Sequence, residues 1–149
     1  VKKWLRTQFE VVLNLFTSFG YFEKDIDNFK VIQTIKSSLK QNGIGVIDFM
    51  NSPQIIENLI AQNSHKIDGV TFKLKRSYSD GFITKDIDVS DSNKTYHFQE
   101  KVRAYSFQDF EVMLSNAGLH LLECFGNYKL EPFNVKKSKR LILIFMAND

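Results

Sequence analysis

The sequence holds one cysteine, Cys124, among 149 residues. A lone cysteine builds neither a disulfide framework nor a cysteine-based zinc site, and it fits a reducing compartment. Its setting in the apolar run LHLLECF reads as a packed thiol rather than a nucleophile. Long apolar runs are missing too. The longest, LILIFMA, is far short of the roughly 20 residues that span a bilayer, and VKKWL has no apolar core of the kind a signal peptide needs. The expectation is a soluble, cytoplasmic chain without membrane contact. Concentrated charge is also scarce. The net charge is +3 and the pI about 8.9, an excess spread along the chain. The one dense basic stretch, KKSKR from Lys136 to Arg140, stands directly before an apolar strand. A solvated loop explains it more simply than the basic face of a nucleic-acid binder, so no nucleic-acid partner is expected. His65, His97 and His120 are scattered without metal-ligand spacing. No Ser–His or Cys–His pairing can be argued from them, so neither a metal nor a general base is assigned. Internal repeats and low-complexity linkers are absent.

What is present is apolar and patterned. Hydrophobic residues make up 43% and aromatics 13% of the chain, which argues against disorder. The length suits one domain. FEVVLNLFTSFGYF, Phe9 to Phe22, opens as a strand and then turns small (Thr17, Ser18, Gly20) before two large rings, Tyr21 and Phe22. Ligands of open α/β sheets sit beyond the carboxyl ends of strands, so this change of character marks a candidate site. EKDIDN offers helix caps. Phe29, Ile32, Ile35 and Leu39 recur at helical spacing, with Asn42-Gly43 as the stop. Ile44–Met50 reads as a second strand. A strand–helix–strand unit of this kind implies a parallel pair. Ser52-Pro53 reads as a helix start, with Ile55, Ile56, Leu59 and Ile60 on its buried face.

The period then changes to two. Val70, Phe72 and Leu74 alternate with polar residues, then Ile83, Ile87 and Val89, then Tyr96, Phe98 and Val102. Turns are expected at Ser79-Asp80-Gly81 and Asp91-Ser92-Asn93. Residues 69–105 therefore read as a three-stranded antiparallel meander with one apolar face. Ser106 and Asp109 form a capping box before a helix that ends at Gly118. LHLLECF and RLILIFMA close the chain as strands, joined closely enough to pair antiparallel.

Strand, helix, strand, meander, helix, strand, strand is the order of the second half of a class I S-adenosylmethionine-dependent methyltransferase. The local sequence agrees. VVLNLFTSFGYF resembles the fourth strand and its loop in small-molecule members, LKQNGIGVIDFMN the fifth strand, YHFQEKVRAYSFQDFEVMLSNAGL the later strand and helix, and SKRLILIF the last strand. The resemblance spans nearly all of Phe9 to Met146. It implies an α/β fold, a partial Rossmann-like methyltransferase sheet holding strands four to seven, with an antiparallel three-stranded insertion on the substrate side. The glycine-rich loop and the acidic residue of the family's first half have no counterpart. GIGVID lies inside a strand pattern rather than in a strand-to-helix turn. VKKWL resembles the opening of some members, joined abruptly to the fourth strand, so a segment between about Leu5 and Phe9 is expected to be missing.

The resemblance implies methyl transfer from S-adenosyl-L-methionine to a small-molecule acceptor, with the chain as given not competent alone. The alternative is a non-catalytic interaction module that keeps the fold. By the same resemblance Asn14, Leu15 and Phe16 lie beside the cofactor, although Leu15 and Phe16 read equally well as core. Ser18, Gly20 and Tyr21 would line the junction with the acceptor, or form no more than a tight turn. Arg103 and Tyr105, with Tyr128, are candidates for an acceptor pocket under the meander; a surface salt bridge is the plainer reading of Arg103. Without the first strand of the fold beside it, the run at 11–16 is an unpaired apolar edge, expected to pair with another copy.

Overall fold

The computed structural model describes residues 8–91 and 94–147; VKKWL and the Ser92-Asn93 pair lie outside them. Two four-stranded sheets organise the chain. In the first, β1 (Phe9–Asn14) lies parallel to β2 (Leu39–Met50), with α1 (Asp25–Ser38) between them in sequence. β2 then pairs antiparallel with β8 (Arg140–Ala147), and β8 antiparallel with β7 (Leu119–Phe125). The order is β1-β2-β8-β7. β1 has a partner on one side only among the described residues.

Strand alternation gives this sheet two faces. Ile47, Phe49, Leu141, Leu143 and Phe145 are buried on one. They form the core with Ile32 and Ile35 of α1 and with Phe110 and Leu114 of α3 (Phe107–Asn116). Four rings, Phe19, Phe49, Tyr105 and Phe110, meet there at centroid distances of 5.1 to 6.5 Å. The other face carries Val11, Leu13 and Ile44, all exposed. α3 starts with the expected capping box, Ser106 with Asp109, and Gly118 follows its end at φ 68°. Cys124 is half-buried against the core; burial first, and then the Glu111 carboxylate, push its thiol up to about 12.

The second sheet differs from the sequence reading. It is a meander of four strands, not three: β3 (Gln62–Ile67), β4 (Val70–Ser79), β5 (Phe82–Ser90) and β6 (Thr95–Arg103), in that order. Every residue of β3 (QNSHKI) is exposed, so no apolar alternation betrays the strand. The legible signal was Asp68-Gly69. Both residues have positive φ, 47° and 84°, as do Asp80 and Gly81 at the next hairpin. Two such residues in a row suit the tight turns that match strand twist.

Two boundaries also move. α1 ends at Ser38, before Asn42-Gly43, because buried Leu39 already belongs to β2. Asn42, at φ 60°, sits in a stretch where the β1–β2 register shifts. A Cβ on Gly43 would come within 2.8 Å of the Lys40 carbonyl and 3.0 Å of the Phe9 carbonyl, so the glycine serves a close strand contact rather than a helix stop. α2 (Ser52–Glu57) is short and leaves Ile60 exposed. Its N-cap is Asn51, whose amide donates instead to the Val135 and Ser138 carbonyls at 2.8 and 2.7 Å. The hydroxyl of Ser52, where the helix start was expected, is buried without a hydrogen-bond partner among the described residues.

Candidate functional site

β1 ends at Asn14, and the chain leaves it through a strained turn. Phe16 and Thr17 both adopt positive φ, 57° and 59°, a conformation that costs non-glycine residues about 1–3 kcal/mol and persists only where the surroundings impose it. Asp48, on the neighbouring strand and 1% exposed, imposes it here. One of its carboxylate oxygens accepts the Phe16 N–H at 3.0 Å, and its backbone carbonyl accepts the Thr17 N–H at 2.9 Å. The Tyr128 hydroxyl donates to the same carboxylate at 3.0 Å. Arg140, the first residue of β8, donates to Asp48 through Nε at 2.8 Å, pairs with it through Nη2 at 2.7 Å, and reaches the Thr17 hydroxyl at 3.0 Å. A buried carboxylate is tolerated when it is ion-paired and its lone pairs are filled, and this one is both.

Sequence reasoning missed Asp48, Thr17 and Arg140. The trace of the pair was there: a carboxylate inside GIGVIDFM and a guanidinium opening RLILIF. Lys136, Lys137 and Lys139 are exposed, in keeping with a solvated loop. Arg140 instead leaves KKSKR for the ion pair. Gly45, the second glycine of GIGVID, would drive a Cβ into the Phe145 ring, so its smallness is used in packing.

Beyond the turn the chain docks on the meander. The Arg103 N–H donates to the Gly20 carbonyl at 2.7 Å. Gly20 has φ 87°, and a Cβ there would stand 3.2 Å from Val102 Cγ1, so a close approach and a left-handed backbone coincide. A cavity of about 340 Å³ opens between this docked segment and β4–β6, lined by Phe16, Thr17, Tyr21, Met50, Ile55, Arg76, Ile83, Lys85, Glu100, Val102 and Arg140. The Phe16 ring is 76% exposed. Partial burial, and then the Glu100 carboxylate, raise the Tyr21 phenol above its usual range. Lys85 and Glu100 pair at 3.2 Å.

The expected site residues divide. Phe16 and Tyr21 line the cavity. Asn14 and Leu15 stand at the strand end beside it, and the Asn14 side-chain oxygen is buried with no partner among the described residues. Ser18 is exposed and its hydroxyl donates back to the Leu15 carbonyl. Tyr128 acts on Asp48. Arg103 and Tyr105 lie elsewhere. The Arg103 guanidinium stacks 4.9 Å from the Phe82 ring centroid and donates to Asp25 and to the Asp80 carbonyl. The Tyr105 hydroxyl donates to Asp25 at 2.8 Å, and its phenol is held far above its usual range by burial first and then by Asp25. These two residues tie the start of α1 to the meander. A larger hollow of about 790 Å³ lies across the meander's opposite face. Its carboxylates are engaged across the strands, Asp88 by His97 and Asp86 by Gln99, and it lies away from the strand ends.

Scans against protein-family models and curated proteins return no match. Solved structures do match. An S-adenosylmethionine-dependent methyltransferase from Clostridium acetobutylicum superposes with a TM-score of 0.85 at 19% identity, over 97% of this chain and 60% of that one. The CcbJ methyltransferase from Streptomyces caelestis gives 0.83 at 14% identity, over 97% and 59%. The sugar N-methyltransferase KedS8 from Streptoalloteichus gives 0.70 at 16%, over 97% and 58%. The chain therefore has the fold of the S-adenosylmethionine-dependent methyltransferases, and it spans about three fifths of the length of these structures.

Proposed function

We propose that the chain is the carboxyl-terminal part of a methyltransferase that uses S-adenosyl-L-methionine to methylate a small molecule, and that these 149 residues are not competent alone. One observation carries the reading. The parallel strands β1 and β2 direct their carboxyl ends at a cavity roofed by the antiparallel meander, in a sheet closed by the antiparallel pair β8–β7. That is where open α/β sheets bind ligands.

The residues present fit one side of the cofactor. The unpartnered Asn14 oxygen at the end of β1 is a free acceptor for its amino group, and the exposed Phe16 ring offers a π-face to a cation. When bound, the cofactor supplies a methyl group on a positively charged sulfur. Asn14, Leu15 and Phe16 would hold it. The other side, a glycine-rich strand-to-helix turn, is not among the described residues. Ser18, Gly20 and Tyr21 would border the acceptor, with Tyr21 facing the cavity. Tyr128, Arg103 and Tyr105 serve by positioning: the first through Asp48, the other two by fixing β6 and α1. No base is assigned, since alignment of donor and nucleophile can supply much of the rate.

The test uses the natural protein. Its intact mass should exceed 17.3 kDa, and tritium from methyl-labelled S-adenosylmethionine should pass into small molecules. By calorimetry the 149-residue chain alone should bind the cofactor weakly or not at all; micromolar binding would contradict the claim that a cofactor half is missing. A second reading, a non-catalytic interaction module, is favoured by the exposed Val11, Leu13 and Ile44. It replaces the first if the natural protein transfers no label.

A further inference from the structure

Across β4 to β6 the meander face that looks into the cavity is apolar except for one row. Strand register sets Leu74, Ile87 and Phe98 abreast, and four residues on it sets Tyr78, Ile83 and Val102 abreast. Between them, on the same face, stand Arg76, Lys85 and Glu100. Arg76 is directly opposite Lys85, and like charges in that position oppose sheet pairing. Glu100 pairs with Lys85. Arg76 has no carboxylate within ion-pair distance among the described residues; it donates to the Asn63 side chain at 2.6 Å and to the Ile60 carbonyl at 3.4 Å. All three side chains line the 340 Å³ cavity together with Phe16. The remaining cation there, Arg140, is committed to Asp48. The cavity thus holds one guanidinium without a counter-charge, flanked by apolar rows and an aromatic ring.

We infer that the acceptor is an anionic small molecule whose carboxylate or phosphate group is bound by Arg76, with Lys85 beside it, and whose apolar body lies against Phe16. A guanidinium binds a carboxylate or phosphate through two parallel N–H donors, which fixes orientation as well as position. The anion would also relieve the Arg76–Lys85 repulsion. Glu100 sets the limit: it neutralises Lys85, so the site takes a single anionic group. This inference rests on the methyltransferase reading only for the word acceptor; the anion site stands on the charge row itself.

Amide NMR of the 149-residue chain, titrated at constant ionic strength with inorganic phosphate, methyl phosphate and benzoate, tests it. Saturable shifts are expected at Arg76, Lys85 and Glu100, and the tighter of the phosphate and benzoate arms identifies the group. Arg76→Gln should weaken binding about tenfold. Glu100→Gln should strengthen it roughly threefold, a direction that misfolding does not produce. Lys73→Gln, on the opposite face, should change nothing. Shifts that never saturate, that centre on Lys136 and Lys137, or that survive Arg76→Gln overturn the inference. Methyl transfer by the natural protein that is indifferent to acceptor charge would overturn it while leaving the enzyme reading intact. Anion binding without any methyl transfer would do the reverse.

Discussion

The two faces of the β1-β2-β8-β7 sheet have similar apolar composition and opposite surroundings. Ile47, Phe49, Leu143 and Phe145 on one face are each 0% exposed, while Val11, Leu13 and Ile44 on the other are 52%, 57% and 38% exposed. The covered face meets α1 and α3. The bare face meets no helix among the described residues until it reaches Asp48, where Arg140 and Tyr128 close it. Burial is thus set by what lies against a strand and not by the strand's own composition. The bare apolar surface is what motivates the proposal that the chain is part of a larger whole.

Cutting into each face separates them most sharply. Phe49→Ala, which removes one of four packed rings, should cost about 3–5 kcal/mol in chemical denaturation. Leu13→Ala should change stability by under about 0.5 kcal/mol. Equal losses would mean that the bare face is sheltered after all. The next largest effect lies where the bare face is closed. Asp48→Asn keeps the shape but removes the charge that answers Arg140, and should cost about 2–3 kcal/mol. Amide hydrogen exchange at Phe16 and Thr17 should quicken in that variant, with β5 unchanged. The smallest effect on stability, and the most telling for assembly, is Leu13→Lys. The wild-type chain should sediment above its monomer mass because β1 offers an unpaired edge, and the lysine should return it to monomer without altering the melt. A wild-type chain that is monomeric at all concentrations would end the edge-pairing proposal.

Much of the fold was legible because its signals are local. The capping box at Ser106, the glycine after α3, the period-two alternation of β4 to β6 and the apolar runs of β7 and β8 each act within a few residues. β3 was not legible: QNSHKI is exposed throughout and shows no apolar alternation, and only its Asp-Gly turn gives it away. The cavity lining was legible at Phe16 and Tyr21, where a strand gives way to small residues and rings. Its fastening was not. Asp48 and Arg140 lie 92 residues apart in sequence, and each alone resembles a misplaced charge. Arg103 and Tyr105 illustrate the converse. Alternation puts Arg103 on the face opposite Val102, but which face borders the cavity depends on how the meander is docked, and no period in the sequence records that.

The Asp48–Arg140 pair has a consequence in time as well as in space. The turn that follows β1 comes first, and the guanidinium that completes its support comes 123 residues after Thr17. During synthesis the strained backbone at Phe16 and Thr17 cannot be fully fastened until Arg140 has emerged and β8 has threaded between its neighbours. A product cut short before that point leaves Asp48 without its counter-ion, and the turn it supports stays unfastened.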